Sequence, residues 1–168
     1  MKFRTIVIMG LCALFLGCTI SYKFNGSSID YSKIKTISLH DIPNNAALVY
    51  PSLSNTLSES LRDVFSSQTR LTQVRANGDM DISGEITNYA LTSLAIGNNA
   101  LATETRLTMT VKITYTNKIT PEENFERTFS VNRTFENTST LNDVQETLCQ
   151  EMVDEIVDQI FNATAANW

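Results

Sequence analysis

The stretch from Arg106 to Tyr115 restricts the fold more than any other part of this chain. Leu107, Met109, Val111, Ile113 and Tyr115 occupy one parity; Arg106, Thr108, Thr110, Lys112 and Thr114 occupy the other. Successive strand side chains point to opposite faces, so this period of two predicts a half-buried strand in an antiparallel sheet. Its neighbours repeat the idea. Phe125–Phe135 places Phe125, Phe129, Val131 and Phe135 on a core side, and Asn117–Glu123, with Pro121, reads as the hairpin loop between them. Upstream, Met80–Tyr89 carries Met80, Ile82 and Ile86 in phase. Gly84 shares that phase, which predicts a bulge or a helix lying close to it.

Two helices are expected to cover the sheet. Leu53, Leu57, Leu61 and Val64 form an apolar stripe over Ser52–Phe65, with Ser54, Asn55, Ser58, Glu59 and Arg62 on the other faces and Pro51 as a start signal. The longer helix spans Leu141–Phe161. Val144, Leu148, Met152, Val153, Ile156, Val157, Ile160 and Phe161 form its apolar side, and Thr140 with Asp143 resembles a capping box. A first strand is expected over Lys33–His40, ended by Asp41-Ile42-Pro43-Asn44-Asn45, and Leu71–Val74 reads as a short strand or edge. The order β-α-β-β-β-α predicts an α+β two-layer sandwich, with both helices on one face of a mostly antiparallel sheet and the other face open.

The N-terminus carries a different message. Lys2 and Arg4 precede an uncharged, apolar run from Thr5 to Gly17, too short for a spanning helix of roughly 20 residues. The run ends in Phe15-Leu16-Gly17-Cys18, which looks like a bacterial lipobox: a small residue directly before a cysteine whose thiol is acylated. The expected organisation is a signal peptide over residues 1–17, a lipidated tether over 18–32 and one domain over 33–168. Without Lys2 and Arg4 the formal charge of −5 becomes −7, a poor match to nucleic acid. A hydrophobic share of 42% suits one globular domain. Cys12 would leave with the signal and Cys18 would carry lipid, so Cys149 has no partner for an intramolecular disulfide.

Catalysis finds little support. His40 is the single histidine and stands beside Asp41, but no nucleophile elbow or comparable cysteine site accompanies the pair. Neither a metal-ligand spacing nor a glycine-rich phosphate loop is present, so no enzyme, metal or cofactor is expected. Cys149, between Leu148 and Met152, reads as a small buried hydrophobe. Binding is better supported. The strand positions facing away from the core are mostly Thr108, Thr110, Thr128, Ser130 and Asn132, with Arg106 and Lys112 among them. Such uncharged polar groups cost less to desolvate than charges and can hydrogen-bond a hydrated partner. Arg127 and Arg133 share the parity of Phe125 and Phe129; they read either as edge residues with snorkelling stems or as cations open to an anion.

Several segments together resemble one family. Tyr22-Lys23-Phe24-Asn25-Gly26-Ser27-Ser28-Ile29 after the lipobox, Leu48-Val49-Tyr50-Pro51-Ser52-Leu53-Ser54, Ser67-Gln68-Thr69-Arg70-Leu71, Gly84-Glu85-Ile86-Thr87-Asn88-Tyr89 and Arg106–Lys112 are similar to the Bacteroidota-type branch of the lipopolysaccharide-assembly lipoproteins, the LptE family. The ending, Ile160-Phe161-Asn162-Ala163 with Ala166-Asn167-Trp168, is similar again. The resemblance implies a non-enzymatic lipoprotein on the periplasmic side of the outer membrane, anchored by the lipid on Cys18. It implies a large β-barrel partner, the translocon protein LptD, whose lumen such proteins plug and whose assembly they assist while lipopolysaccharide passes to the surface. Since lipopolysaccharide is anionic, Arg106, Lys112, Arg127 and Arg133 are its candidate contacts. Two other classes stay open: a subunit of a different export or secretion complex, and a lipoprotein that binds a soluble ligand.

Overall fold

The computed structural model describes residues 29–95 and 102–165. The signal stretch, Cys18, most of the tether, the Gly97-Asn98-Asn99 break and Trp168 lie outside the described residues. Seven main elements follow in order: β1 (Thr36–Leu39), α1 (Leu53–Gln68), β2 (Thr72–Val74), β3 (Met80–Ala95), β4 (Ala102–Asn117), β5 (Phe125–Glu136) and α2 (Leu141–Thr164). The expected β-α-β-β-β-α order holds, with the three-residue β2 added as an edge strand after α1. The five strands are ordered β2-β1-β3-β4-β5. β1 runs parallel to both of its neighbours, whereas β3, β4 and β5 form an antiparallel meander.

The alternation in β4 translates directly into burial: Leu107, Met109, Val111, Ile113 and Tyr115 are all in the core. They meet Ile156, Val157 and Ile160 of α2 and Leu53, Leu57 and Leu61 of α1 in one continuous cluster. Phe65 of α1 and Phe161 of α2 close the seam between the helices edge to face, with ring centroids 5.2 Å apart. In α1 the stripe differs from the expected one at its end. Phe65 is fully buried and Val64 only half-buried, because position 65 continues the i, i+4 row of Leu53, Leu57 and Leu61. Ser58, expected on a solvent face, is buried too. Its hydroxyl donates to the Ser54 carbonyl (2.7 Å) and accepts the Ile42 N–H (3.0 Å), satisfying a loop amide that no strand reaches.

The strands correct three further expectations. β1 is shorter than Lys33–His40, although Ile34 just ahead of it is buried. Gly84 answers neither to a helix nor to a bulge of its own. Its closest neighbour is the β4 backbone, and an added Cβ would lie 2.3 Å from the Lys112 carbonyl oxygen. The bulge comes later, where the register steps from Ile86↔Val111 to Asn88↔Thr110 and leaves Thr87 over. That one residue reverses the parity of β3, so Tyr89, out of phase with Ile86 in the sequence, enters the core. At the opposite end, Ile29 is buried and Tyr31 packs against the core, inside the stretch expected to be tether.

Asp79 ties the start of the sheet together. One of its carboxylate oxygens accepts the Lys35 N–H (2.9 Å), the Thr36 N–H (3.0 Å) and the Thr36 hydroxyl (2.9 Å). Gly78 beside it lies so close to β1 that a Cβ would stand 2.6 Å from the Ser38 nitrogen, and Asn77 takes up the turn with φ 62°. The bonds from Lys35 and Thr36 hold the Asp79 carboxyl below its ordinary range. A depressed value in the folded state means that this contribution is complete above about pH 4 and is lost as the pH falls through the folded value. Asp79→Ala is therefore expected to destabilise the domain by about 2 kcal/mol at neutral pH, and Asp79→Asn to flatten the acid limb of a pH–stability curve. Denaturant melts between neutral pH and pH 3 check both. An acid limb identical to that of the parent protein refutes the assignment.

Candidate functional site: the open face of the sheet

With both helices on one side, the opposite face of β3, β4 and β5 is uncovered. Register places its side chains in rows. Thr110 of β4 stands between Asn88 and Ser130, Thr108 between Ala90 and Asn132, and Lys112 between Glu85 and Thr128. The Thr110 and Ser130 hydroxyls are 3.0 Å apart and hydrogen-bonded, and the Thr87 hydroxyl donates to the Thr110 carbonyl (3.3 Å). Each hydroxyl both donates and accepts, so the row can exchange internal bonds for bonds to water or to a partner without stranding a charge. The centre of this face is uncharged.

The four cations singled out in the sequence do not form one cluster. Arg106 and Lys112 lie on the open face, six residues apart on β4 and hence about 20 Å apart. Lys112 Nζ is 2.9 Å from Glu126 Oε1, and that bond, with the charge of Glu126, raises its pKa above the ordinary lysine value. Arg106 is exposed between Thr92 and Thr134, with no carboxylate paired to it among the described residues. Arg127 and Arg133 emerge on the helix side of β5, the sheet edge, because they pair with the core residues Ile113 and Leu107 of β4. The Arg127 guanidinium lies over the Phe125 ring, 4.9 Å from its centroid. Arg133 bridges to α2 through Glu151 Oε2 (3.1 Å) and Glu155 Oε2 (2.8 Å), which raise its pKa further. Its charge is spent on holding the edge strand to the helix.

Behind the face, the buried titratable groups stay protonated. Burial pushes Tyr89 and Tyr115 up to about 12, and Cys149 up to about 11. The Tyr89 hydroxyl accepts a bond from Gln145 Nε2 (3.1 Å), which meets its polar need inside the core. Sequence reasoning missed this pair, since only the Thr87 bulge brings Tyr89 inward. It also missed Glu85, whose carboxylate accepts from Asn45 Nδ2 (2.6 Å) across from the β1–α1 loop. His40 does not pair with its neighbour Asp41. Its Nε2 lies 2.9 Å from Asp81 Oδ2, while Asp41 bonds Arg62. Among the described residues no group of three His, Cys, Asp or Glu side chains is placed to hold a metal, and no helix is long and apolar enough to cross a membrane.

An open, hydroxyl-lined sheet backed by two helices is a shape made for a broad polar contact. Residues 34–164 match the model of the lipopolysaccharide-assembly family LptE. The chain belongs to the LptE family. It is thereby a member of a non-enzymatic family of lipopolysaccharide-assembly lipoproteins, and the family resemblance is confirmed over residues 34–164. Solved structures share the fold at low identity. A minor lipoprotein of Acinetobacter baumannii is 16% identical over 79% of this chain and 98% of its own, with a TM-score of 0.51. The uncharacterised lipoprotein B of Nitrosomonas europaea is 15% identical over 76% of this chain and 79% of its own, with a TM-score of 0.54. A hypothetical protein of Chlamydia trachomatis is 10% identical over 77% of this chain and 97% of its own, at 0.53. No curated protein matches the chain in sequence.

Proposed function

We propose that this LptE-family protein is held on the periplasmic side of the outer membrane by lipid on Cys18. From there it plugs and assists the assembly of an LptD-like β-barrel, through which lipopolysaccharide reaches the cell surface. The observation that carries the reading is the open face of β3–β5: broad, polar and uncharged at its centre. The lumen of a large barrel is polar and hydrated, so a plug must present hydrogen-bonding groups without burying lone charges there. Rows of Thr, Ser and Asn meet that requirement. The outer side of α2, with Asp143, Glu146, Asp154 and Asp158 and no basic residue anywhere in the helix, does not. Of the four candidate contacts for lipopolysaccharide, Arg106 and Arg127 have no carboxylate partner among the described residues and are the first to test; Lys112 and Arg133 would have to exchange theirs.

The test is a pull-down of the C-terminally tagged protein from detergent-solubilised outer membranes. One large β-barrel recovered near one to one is the expected result; a permease complex, or no stoichiometric partner, overturns the reading. Anchoring is checked separately. Cys18→Ala is expected to lose the mass of the acyl chains and to leave the outer-membrane fraction, and an unchanged mature mass in that variant would refute lipidation at this position.

A further inference from the structure

One crevice of the molecule has no part in the open face. β1, α1 and β2 form a parallel βαβ unit, and a crevice of about 370 Å³ opens where the carboxyl ends of β1 and β2 stop side by side. Leu39, Val74, Gln73 and the His40 ring form part of its wall, and Asp41, Arg62 and Arg75 carry its charge. The size lies within the range of small-ligand sites, roughly 300–1,000 Å³. In open sheets with parallel strands, ligands sit outside the carboxyl ends of those strands, where the two chain exits leave a gap.

The lining is cationic in an otherwise acidic chain. Two arginines line it against one lining carboxylate, Asp41, whereas the whole sequence carries a formal charge of −5; a second carboxylate, Asp81, is bonded to the His40 ring. Arg62 and His40 are each held by a carboxylate. Asp41 engages one terminal nitrogen of Arg62, which leaves the other N–H groups of that guanidinium for a second acceptor. The Arg62 carbonyl accepts from Gln73 Nε2 (2.7 Å), fastening the middle of α1 to β2 across the crevice wall. Asp81, from β3, holds His40 Nε2 at 2.9 Å, so Nδ1 is the ring nitrogen not engaged by a described residue. Arg75 follows β2 directly, is exposed, and has no carboxylate partner among the described residues.

We propose that this crevice binds an oxyanion of the phosphate class between Arg62 and Arg75, beside the His40 ring. Guanidinium groups present planar, paired donors that match phosphate oxygens, and an oxyanion can accept from both arginines at once. Asp41 then serves to orient Arg62 rather than to occupy it. The proposal does not rest on the barrel partnership, since no crevice residue belongs to the open sheet face. The same chemistry has two sources, a small soluble phosphate compound or a phosphate group carried on lipopolysaccharide.

The experiment is an NMR titration of the isotope-labelled, full-length protein in neutral detergent. Sodium phosphate is added at constant ionic strength, followed by lipopolysaccharide in a separate series. Saturable shifts of the His40 ring and of the Arg62 and Arg75 side chains are expected. Losing one charge-assisted partner should weaken the apparent affinity about tenfold in Arg75→Gln and in Arg62→Gln, with Lys118→Gln unchanged. Arg75→Gln breaks no ion pair of the fold, so it keeps the test valid if Arg62→Gln is unstable. Saturation by inorganic phosphate alone assigns a small soluble ligand. Saturation by lipopolysaccharide, reversed by phosphate, assigns the headgroup. A linear response to both, or an equal response in Arg75→Gln, overturns the site while leaving the pull-down result untouched.

Discussion

Gly84→Ala is expected to destabilise the domain by roughly 3 kcal/mol or more, lowering its melting temperature by about 10 °C. The reason is local and rigid. A methyl group at this position would stand 2.3 Å from the Lys112 carbonyl oxygen, 2.8 Å from Ile113 Cδ1 and 3.3 Å from Ile113 Cα. The Ile113 side chain can turn away, but the carbonyl cannot. It belongs to β4, which is paired on both sides, with β3 and with β5, along most of its length. Relief must therefore come from prying β3 from β4 at the middle of the sheet, and larger side chains must do worse. Thermal melts followed by far-ultraviolet circular dichroism, with Ala90→Gly as a control lower on the same strand pair, check the point. A melting temperature within about 2 °C of the parent protein would show that the sheet yields at Gly84, contrary to the geometry.

The second large effect concerns the partner rather than the fold. Thr110→Glu combined with Ser130→Glu places two carboxylates where the hydroxyls now lie 3.0 Å apart, at the centre of the open face. In the isolated protein the cost is small, because Ser130 is exposed and Thr110 half-buried; like charges opposite one another on a sheet destabilise by up to about 1 kcal/mol. In a sealed polar contact the same carboxylates must shed water and face each other unpaired, which costs about 3 kcal/mol or more. Recovery of the barrel partner is expected to fall about 100-fold with the melting temperature nearly unchanged. Glu146→Arg with Asp158→Arg, on the outer side of α2, is expected to leave recovery intact. Should the helix pair abolish the complex and the sheet pair spare it, the contact surface is the helical layer and the plug orientation must be reversed.

The helices and the antiparallel meander were legible because their patterns are local. In β4 the period of two is unbroken from Arg106 to Tyr115, and burial follows it residue by residue. The Thr140–Asp143 capping box was legible for the same reason: Asp143 reaches back only three residues to accept the Thr140 N–H (2.9 Å) and hydroxyl (2.6 Å). Where pattern reading went astray, a residue far away in sequence had decided the matter. Tyr89 stays out of phase with Ile86 until the Thr87 bulge is seen, and that bulge exists only as a mismatch with Val111 and Thr110 on the neighbouring strand. Gly84 looks like space for a helix until β4 lies against it. Ser58 looks exposed until the loop at Ile42 needs its hydroxyl.

The functional residues divide the same way. The hydroxyl-rich face could be foreseen from parity, since strand geometry alone sends Thr108, Thr110, Ser130 and Asn132 to one side. Its openness could be foreseen from the presence of two amphipathic helices for one sheet. How each cation is used could not. Arg106, Lys112, Arg127 and Arg133 are alike in the sequence, but one is exposed, one is tied to Glu126, one lies on Phe125, and one bridges two carboxylates of α2. The His40–Asp81 and Arg62–Asp41 pairs, and the crevice that Arg62 and Arg75 share, join residues from four elements and loops. Periodicity is set by the geometry of one strand or one helix and so is written into the sequence itself. A charge acquires its role from whatever opposite charge, ring or cavity the packing of separate elements brings within a few ångströms, and only the tertiary structure decides that.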